Sequence, residues 1–450
     1  MIHEITTALP PFSFDDDLVI QTGNGEEKAT REEFYTNYPF FKYWKTDANN
    51  KLLNPEGINI YLHIPFCIQI CDYCFYMKEL VKSKSQVDDY IENLCREIRL
   101  VSEKFSLRHR NVNTIYMGGG TPSVLTESQF RRLINTLRQY HNIDQPEFTF
   151  EAEPGTFTAP KLKWYKDSGV NRISMGVQSF VDDIIKRSSR KHTVRQAMDS
   201  IRMVKEEGGF HLNVDLLSGL AGETMDSWEE TMKVALSQPI DMVTIYKMKA
   251  YANTAFFKKG VQQNEIVLPS ADEELQFITS ALDLLSSAGY QRWSSFAFTK
   301  DGYCHQYIEN TWRGQDLVAY GVSSFGKMGA INYQNVNNLA SYSQKVQENT
   351  LPVFRSFQLS FKDQMVRELL LCATRLSSYR KKEFIEKFGF DYARMIPEKM
   401  HQLMEKGFLQ EGLDEIRLTK KGIIYADFVS KTIASAAKEA LEPDNIGFTY

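Results

Sequence analysis

The chain of 450 residues is poor in cysteine, with six, and in histidine, with eight. So few cysteines in so long a chain exclude a disulfide-stapled secreted scaffold, which concentrates them in a small domain. Long hydrophobic runs are absent. The apolar stretch at residues 58–66 is interrupted and far short of the roughly 20 residues that span a bilayer. No basic region followed by an apolar segment opens the chain, as a secretory signal would. An excess of one charge is also missing: 53 Lys and Arg stand against 57 Asp and Glu, a net −4, which gives no electrostatic footprint for nucleic acid. What is present is ordinary globular composition, 42% hydrophobic and 24% charged, enough for a sizeable core. These features predict a cytoplasmic protein whose thiols stay reduced.

Three of the six cysteines, Cys67, Cys71 and Cys74, share one short loop in a Cys-x3-Cys-x2-Cys pattern, while Cys95, Cys304 and Cys372 are isolated. Core packing does not crowd thiols in this way. A zinc site favours two Cys-x2-Cys halves or paired histidines, and the only imidazole nearby is His63. The pattern predicts an iron–sulfur cluster, and three thiolates leave one iron of a [4Fe–4S] cluster open to a small molecule.

Beyond residue 55 the sequence becomes rhythmic. Apolar β-type runs at 58–63, 114–117, 147–151, 172–177, 211–216 and 242–246 alternate with helical periodicity at 86–104, 127–140, 160–168, 194–206 and 225–236. The alternation predicts an α/β fold, an open (β/α)6 partial barrel whose ligands gather at the carboxyl ends of the strands, where the cysteine loop falls. A helix at 271–288 and a strand-like run at 292–298 follow. From residue 359 a helical region, a helix at 395–406 and a strand at 416–419 suggest a small winged-helix-like unit, read as a lid or docking domain because no basic recognition helix stands out. The expected organisation is a leader at 1–55, the partial barrel at 56–300, a barrel-closing segment at 301–355, the C-terminal domain at 356–436 and a tail at 437–450.

Polar residues cluster near the strand ends. Gly118, Gly119, Gly120, Thr121 and Pro122 follow the second strand directly, and glycine there lets backbone approach a ligand. Glu151 and Glu153 end the third strand, Gln178 the fourth, and Arg190 lies in the next segment. Asp215 interrupts an apolar strand, a costly position unless it is paired or binds something. Carboxylates for ribose hydroxyls and an arginine for a carboxylate are the chemistries to expect.

The motifs Tyr-Leu-His-Ile-Pro-Phe-Cys at 61–67, Cys-Asp-Tyr-Cys at 71–74, Gly-Gly-Gly-Thr-Pro-Ser at 118–123 and Glu-Ala-Glu-Pro at 151–154 resemble those of radical S-adenosylmethionine (SAM) enzymes. The branch resembled is typified by oxygen-independent coproporphyrinogen III oxidase, and residues 171–180 and 213–220 complete the likeness. The resemblance implies a [4Fe–4S] cluster on Cys67, Cys71 and Cys74, with SAM on the open iron. It also implies that Gly119 and Gly120, with Thr121 beside them, hold the methionyl amino group. Glu151, Gln178, Arg190 and Asp215 would bind the other polar groups of SAM, and Tyr61 would pack near the cluster.

Within that branch, the oxidase has a fourth cysteine two residues after the third, where this chain has Tyr76. A leader carrying Phe34, Tyr35, Tyr38, Phe40, Phe41, Tyr43 and Trp44 precedes the loop, unlike the related heme chaperones. These departures lead to the expectation of a class C radical SAM methyltransferase. It would use two SAM molecules to methylate an sp2 carbon of an aromatic substrate, the naphthoquinone ring of menaquinone being the best single choice. The alternatives are the oxidase itself, an anaerobic heme-degrading methyltransferase, and a heme chaperone with His305 as the candidate heme ligand. Residues 310–314 and 319–324 are expected to close the barrel mouth. The implied partners are a small aromatic or quinone substrate and a flavodoxin- or ferredoxin-type electron donor, with no nucleic acid and no transmembrane segment.

Overall fold

The segment Ile58–Ile64 is buried at every position but one, as a strand covered on both faces must be, and it lies within a twelve-stranded sheet. The structure is a computed structural model that describes residues 19–22, 25–28, 57–376, 378–389 and 396–440; the aromatic cluster of the leader lies outside the described residues. Strands β1 (Ile58–Ile64), β2 (Val112–Gly119), β3 (Glu147–Ala152), β4 (Arg172–Gln178), β5 (His211–Ser218) and β6 (Met242–Lys247) run parallel, each paired with the next. Between them lie α1 (Lys84–Phe105), α2 (Glu127–Tyr140), α3 (Ala159–Asp167), α4 (Asp182–Arg187), α5 (Val194–Glu207) and α6 (Met225–Ser237). Thr126, Thr193 and Thr224 start α2, α5 and α6 with reciprocal side-chain caps, so these three helices carry their own start signal in the sequence.

Helix α7 (Ala271–Ser287) leads to β7 (Ala297–Thr299), which pairs antiparallel with β6. After α8 (Gln306–Trp312), β8 (Asp316–Tyr320) lies parallel to β1 on its other side. The sheet continues through antiparallel β9 (Phe325–Met328), β10 (Ile331–Asn335) and β11 (Val353–Gln358), with α9 (Leu339–Gln347) between the last two. The two ends of this sheet do not pair, so it is open, in agreement with the expected partial barrel.

Both faces of the parallel strands are covered, yet they differ in character. Ile60, Leu62, Ile115, Met117, Phe148, Phe150, Ile173, Met175, Leu212 and Val214 are buried on the apolar face. The alternate residues form a polar ladder on the other. Thr114 Oγ1 donates to Asn59 Oδ1 at 2.7 Å, Asn213 Nδ2 to Ser174 Oγ at 2.9 Å, and Thr244 Oγ1 to Asn213 Oδ1 at 2.8 Å. A period of two therefore separates an apolar core from a polar interior suited to a polar ligand.

In the C-terminal part, α10 (Phe361–Thr374) precedes a three-stranded sheet of Tyr379–Arg380, Leu409–Glu411 and Glu415–Leu418. Helices α11 (Lys381–Phe388) and α12 (Pro397–Glu405) lie between its first two strands in the chain, the expected helix–helix–ribbon order. One continuous hydrophobic cluster runs from Ile58 to Ala437 and joins this part to the barrel.

Three expectations need correction. The strand-like run at 292–298 is two short antiparallel strands, because the Ser294 hydroxyl accepts the Ala297 amide at 3.1 Å and turns the chain. Strand β11 crosses the expected domain boundary at residue 355, since its ladder with β10 extends to Gln358. The final helix spans Ala426–Ala440 and continues past the expected start of the tail. Among the described residues no helix is long and apolar enough to cross a membrane.

Candidate cluster and cofactor site

The cysteine loop leaves the carboxyl end of β1 and is tied down on both sides by backbone. Gly120 N–H donates to Ile64 O at 2.7 Å, Thr121 N–H to Phe66 O at 2.8 Å, and Val81 N–H to Cys67 O at 3.0 Å. Gly120 is required for this contact, because a Cβ there would lie 2.8 Å from the carbonyl oxygens of Ile64 and Phe66. All three loop cysteines are free and partly buried. Burial pushes the Cys67 thiol up to about 12 and raises Cys71, so a cationic centre is what would draw thiolates here. Among the described residues no group of three His, Cys, Asp or Glu side chains converges on a single ion. A cluster makes no such demand, since each thiolate takes a different iron. The donor set and its enclosure fit a [4Fe–4S] cluster.

Beneath the loop lies a buried polar hub centred on Glu153. Its carboxylate accepts Gln69 Nε2 at 2.5 Å and Thr121 Oγ1 at 3.4 Å, and pairs with Arg190 Nη2 at 3.2 Å. Burial works to raise Glu153, but the His192 hydrogen bond and the Arg190 charge outweigh it and hold the carboxyl below its usual range. Arg190 also donates to Tyr73 OH and Gly176 O, both at 2.7 Å, and reaches Cys71 Sγ at 3.6 Å. The arginine expected to meet a ligand carboxylate thus has its carboxylate in Glu153 and braces the cluster loop. Gln69 Oε1 and His192 Nε2 are buried in this region without a protein partner.

The other expected residues face the polar interior. Glu151 accepts Tyr116 OH at 2.5 Å and Gly119 N–H at 2.9 Å, and burial pushes it up to about 7. Asp215 accepts Ser174 Oγ and Asn213 Nδ2, both at 2.8 Å, and is raised by burial. The amides of Gly119 and Gly120 are thus both used within the protein, and a ligand amino group would meet carbonyl oxygen there, the polarity an ammonium needs. Gln178 sits at φ 70 beside a register shift between β4 and β5, a strained position for a residue other than glycine. Tyr61 points into the barrel and stacks on Tyr116 at 5.9 Å. Its hydroxyl meets His63 Nδ1 at 3.1 Å, and His63 Nε2 meets Met77 O at 3.1 Å. A carbonyl only accepts, so Nε2 carries the proton and the Tyr61 hydroxyl donates to Nδ1.

Aromatic rings line this interior. Tyr116 lies 4.8 Å from Tyr307, while Phe296 contacts Tyr246 at 5.5 Å and Trp312 at 5.8 Å. At the rim Phe75 stacks on Tyr76 and meets Tyr251, each at 4.3 Å. Of the segments expected to close the mouth, Trp312 belongs to this wall. In the other segment, 319–324, Tyr320 and Gly321 are buried, bonded to His141 and Glu97. His305 is buried inside the barrel, its Nε2 at 3.2 Å from Thr149 Oγ1 and 3.4 Å from Glu147 Oε1. Sequence patterns left Gln69, Tyr116, His192 and Tyr307 unassigned; for Tyr116 and Tyr307 the only signal was an aromatic within a segment already flanking the site.

Residues 61–235 match the Radical SAM superfamily. The heme chaperone HemW of Lactococcus lactis is 30% identical over 363 residues, covering 80% of this chain and 93% of that protein. The oxygen-independent coproporphyrinogen III oxidase of Pseudomonas aeruginosa is 27% identical over 385 residues, 81% of each chain. The structure of coproporphyrinogen III oxidase (HemN) from Escherichia coli superposes with a TM-score of 0.78 at 22% identity, covering 90% of this chain and 99% of that one. The chain belongs to the radical SAM superfamily. Within it, the chain falls in the branch of HemW and HemN, and its family's cofactors are a [4Fe–4S] cluster and SAM. Neither of these relatives is named as a methyltransferase, and the expected class C assignment with menaquinone as substrate finds no support among them.

Proposed function

We propose that this chain is a radical SAM enzyme acting on a tetrapyrrole macrocycle of the heme or porphyrinogen class, in place of the naphthoquinone expected from sequence. The observation that carries this reading is the aromatic lining of the polar barrel, from Tyr61, Tyr116 and Tyr307 to Tyr246, Phe296 and Trp312. Ring faces of that extent suit a large flat ligand, and the relatives described above are named for heme and coproporphyrinogen.

In this reading Cys67, Cys71 and Cys74 hold the cluster, and the loop's brace of Arg190 and Glu153 keeps their spacing. The cluster and SAM together supply one-electron cleavage of SAM, the family's source of a carbon radical. Gly119, Gly120 and Thr121 border the amino end of SAM, and Glu151, Gln178 and Asp215 offer polar atoms to the rest. Tyr61 positions His63 and the turn at Met77 and would pack near the cluster. A flavodoxin- or ferredoxin-type protein remains the electron donor that a low-potential cluster calls for.

A second reading, methyl transfer to the macrocycle, is favoured by Tyr76, which stands where the oxidase has its fourth cysteine. The heme-chaperone reading through His305 loses its ligand, because that imidazole is engaged inside the barrel. The test is anaerobic incubation of the reconstituted full chain with SAM and dithionite, adding heme, coproporphyrinogen III or a naphthoquinone. Either tetrapyrrole should stimulate 5′-deoxyadenosine formation, and S-adenosylhomocysteine in comparable amount would select methyl transfer. Stimulation by the naphthoquinone alone, or by none of the three, overturns the proposal.

A further inference from the structure

Strand β9 carries Lys327 into the space between the sheet and the C-terminal helices, where only 8% of its surface is exposed. Its ammonium donates to a single carbonyl, Gly314 O at 2.8 Å. Across a cavity of about 210 Å3, Arg367 of α10 donates to Thr311 O at 3.2 Å. Neither cation has a carboxylate partner among the described residues. The two carboxylates nearby are already taken. Glu368 pairs with Lys387 of α11. Asp316 pairs with Arg110 at 3.1 Å and accepts the Gly329 amide at 2.7 Å.

Asp316 and Glu368 act on these two cations only at a distance, and a cation without a direct ion-pair partner is costly where water is partly excluded. The strain is visible on the lysine, where burial and the Arg367 charge push the ammonium down to about 8. The cavity they share is also lined by Gly329, Gln364, Glu368 and Lys387, the last two an ion pair of their own, so a neutral amide and a self-neutralised pair complete its polar wall.

We propose that this cavity is a binding site for a compact dianion, a phosphate or a short dicarboxylate, held by Lys327 and Arg367. The guanidinium supplies a planar fork that matches such oxygens in pairs, and the ammonium supplies a point charge beside it. A cavity of this size has room for a phosphate with a few waters. The site is separate from the cluster. Asp316 begins β8 and pairs with Ile58, so the cavity lies at the amino end of the strands, while the cysteine loop lies at their carboxyl end. A bound dianion would join β9 to α10 and α11, tying the barrel-closing sheet to the C-terminal helices.

The test uses the full chain in a zwitterionic buffer, with inorganic phosphate and malonate as probes and chloride at matched ionic strength as the screening control. Thermal unfolding should show a saturable rise in midpoint on the order of 2–4 °C with at least one probe and none with chloride. Calorimetric titration gives the affinity, which Lys327→Met and Arg367→Met should each weaken at least about tenfold. Each variant's own midpoint in chloride shows that it has folded. Phosphate alone acting identifies an oxyanion ligand, and malonate alone a dicarboxylate. A rise no greater than that with chloride, or one that survives both substitutions, overturns the proposal.

Discussion

Glu97 is a carboxyl group at 1% exposure on α1, and three separate segments of the barrel-closing region converge on it. It accepts Gly321 N–H at 2.7 Å, Tyr342 OH at 2.6 Å and Asn335 Nδ2 at 2.7 Å. Replacing it by alanine strands two buried donors, the Gly321 amide and the Tyr342 hydroxyl, at about 1–3 kcal/mol each, while Asn335 Nδ2 keeps Gly321 O at 3.0 Å and Ser324 Oγ at 3.1 Å, so a loss of roughly 3 kcal/mol is expected. Urea unfolding should show a lower midpoint with an unchanged slope. The pH dependence follows from the same burial, which raises the carboxyl from an ordinary 4.5 to about 7. Between those values the folded protein holds a proton that the unfolded chain has released. Stability from this group is therefore fully present below pH 4.5 and is lost as pH rises through about 7. The full loss is about 3 kcal/mol at 1.36 kcal/mol per unit. The Tyr342 hydroxyl can turn to accept the proton in the neutral form. Glu97→Gln cannot titrate, so the stability difference between wild type and this variant should fall by about that amount across the interval. Other raised carboxyls, Glu151 and Glu223, are common to both proteins and cancel. A difference that stays flat with pH would refute the reasoning.

Alanine at Cys67, Cys71 or Cys74 should each abolish the cluster's visible absorbance and stoichiometric iron after anaerobic reconstitution, while alanine at Cys95, Cys304 or Cys372 should leave both intact. Gly120→Ala places a methyl group 2.8 Å from two carbonyl oxygens of the loop, and should cost about 1–3 kcal/mol in chemical denaturation. Arg190→Met leaves Glu153 buried and unpaired, with only 9% of its side chain exposed. It should lower apoprotein stability by about 3–5 kcal/mol; iron retention should drop with it, measured as iron per chain after gel filtration.

Much of the fold was legible because its signals are local. The helix at 127–140 coincides with α2, where Thr126 and Gln129 cap reciprocally and the apolar spacing of Phe130, Leu133, Ile134 and Leu137 is unbroken. Strands were read short at their carboxyl ends. Gly119, Gln178 and Ser218 extend β2, β4 and β5 with residues whose composition says turn. Those strand ends are where the polar interior begins, and backbone pairing with a neighbouring strand outweighs side-chain preference there. The antiparallel extension from β9 to β11 had little local signature, since its register depends on pairing with β8 and on the knot at Glu97.

The site divides along the same line. The three cysteines announce a cluster because their chemistry is contained in one loop. Arg190 shows the limit of such reading: its type and place imply a ligand carboxylate, and its pairing with Glu153, brought near by the pairing of β3 with β4, has no local signature. The arginine fixes the loop, and Glu151 and Asp215 are the acids on the barrel's polar face. Tyr76 sits between these two kinds of residue. Its ring is 57% exposed and stacked on Phe75 at the rim, while Glu151 and Asp215 are among the charges that raise its hydroxyl, after burial. A cysteine there would offer a thiol to chemistry at the mouth. A tyrosine offers a flat surface instead, and this favours a role in holding a macrocycle over one in reacting with it.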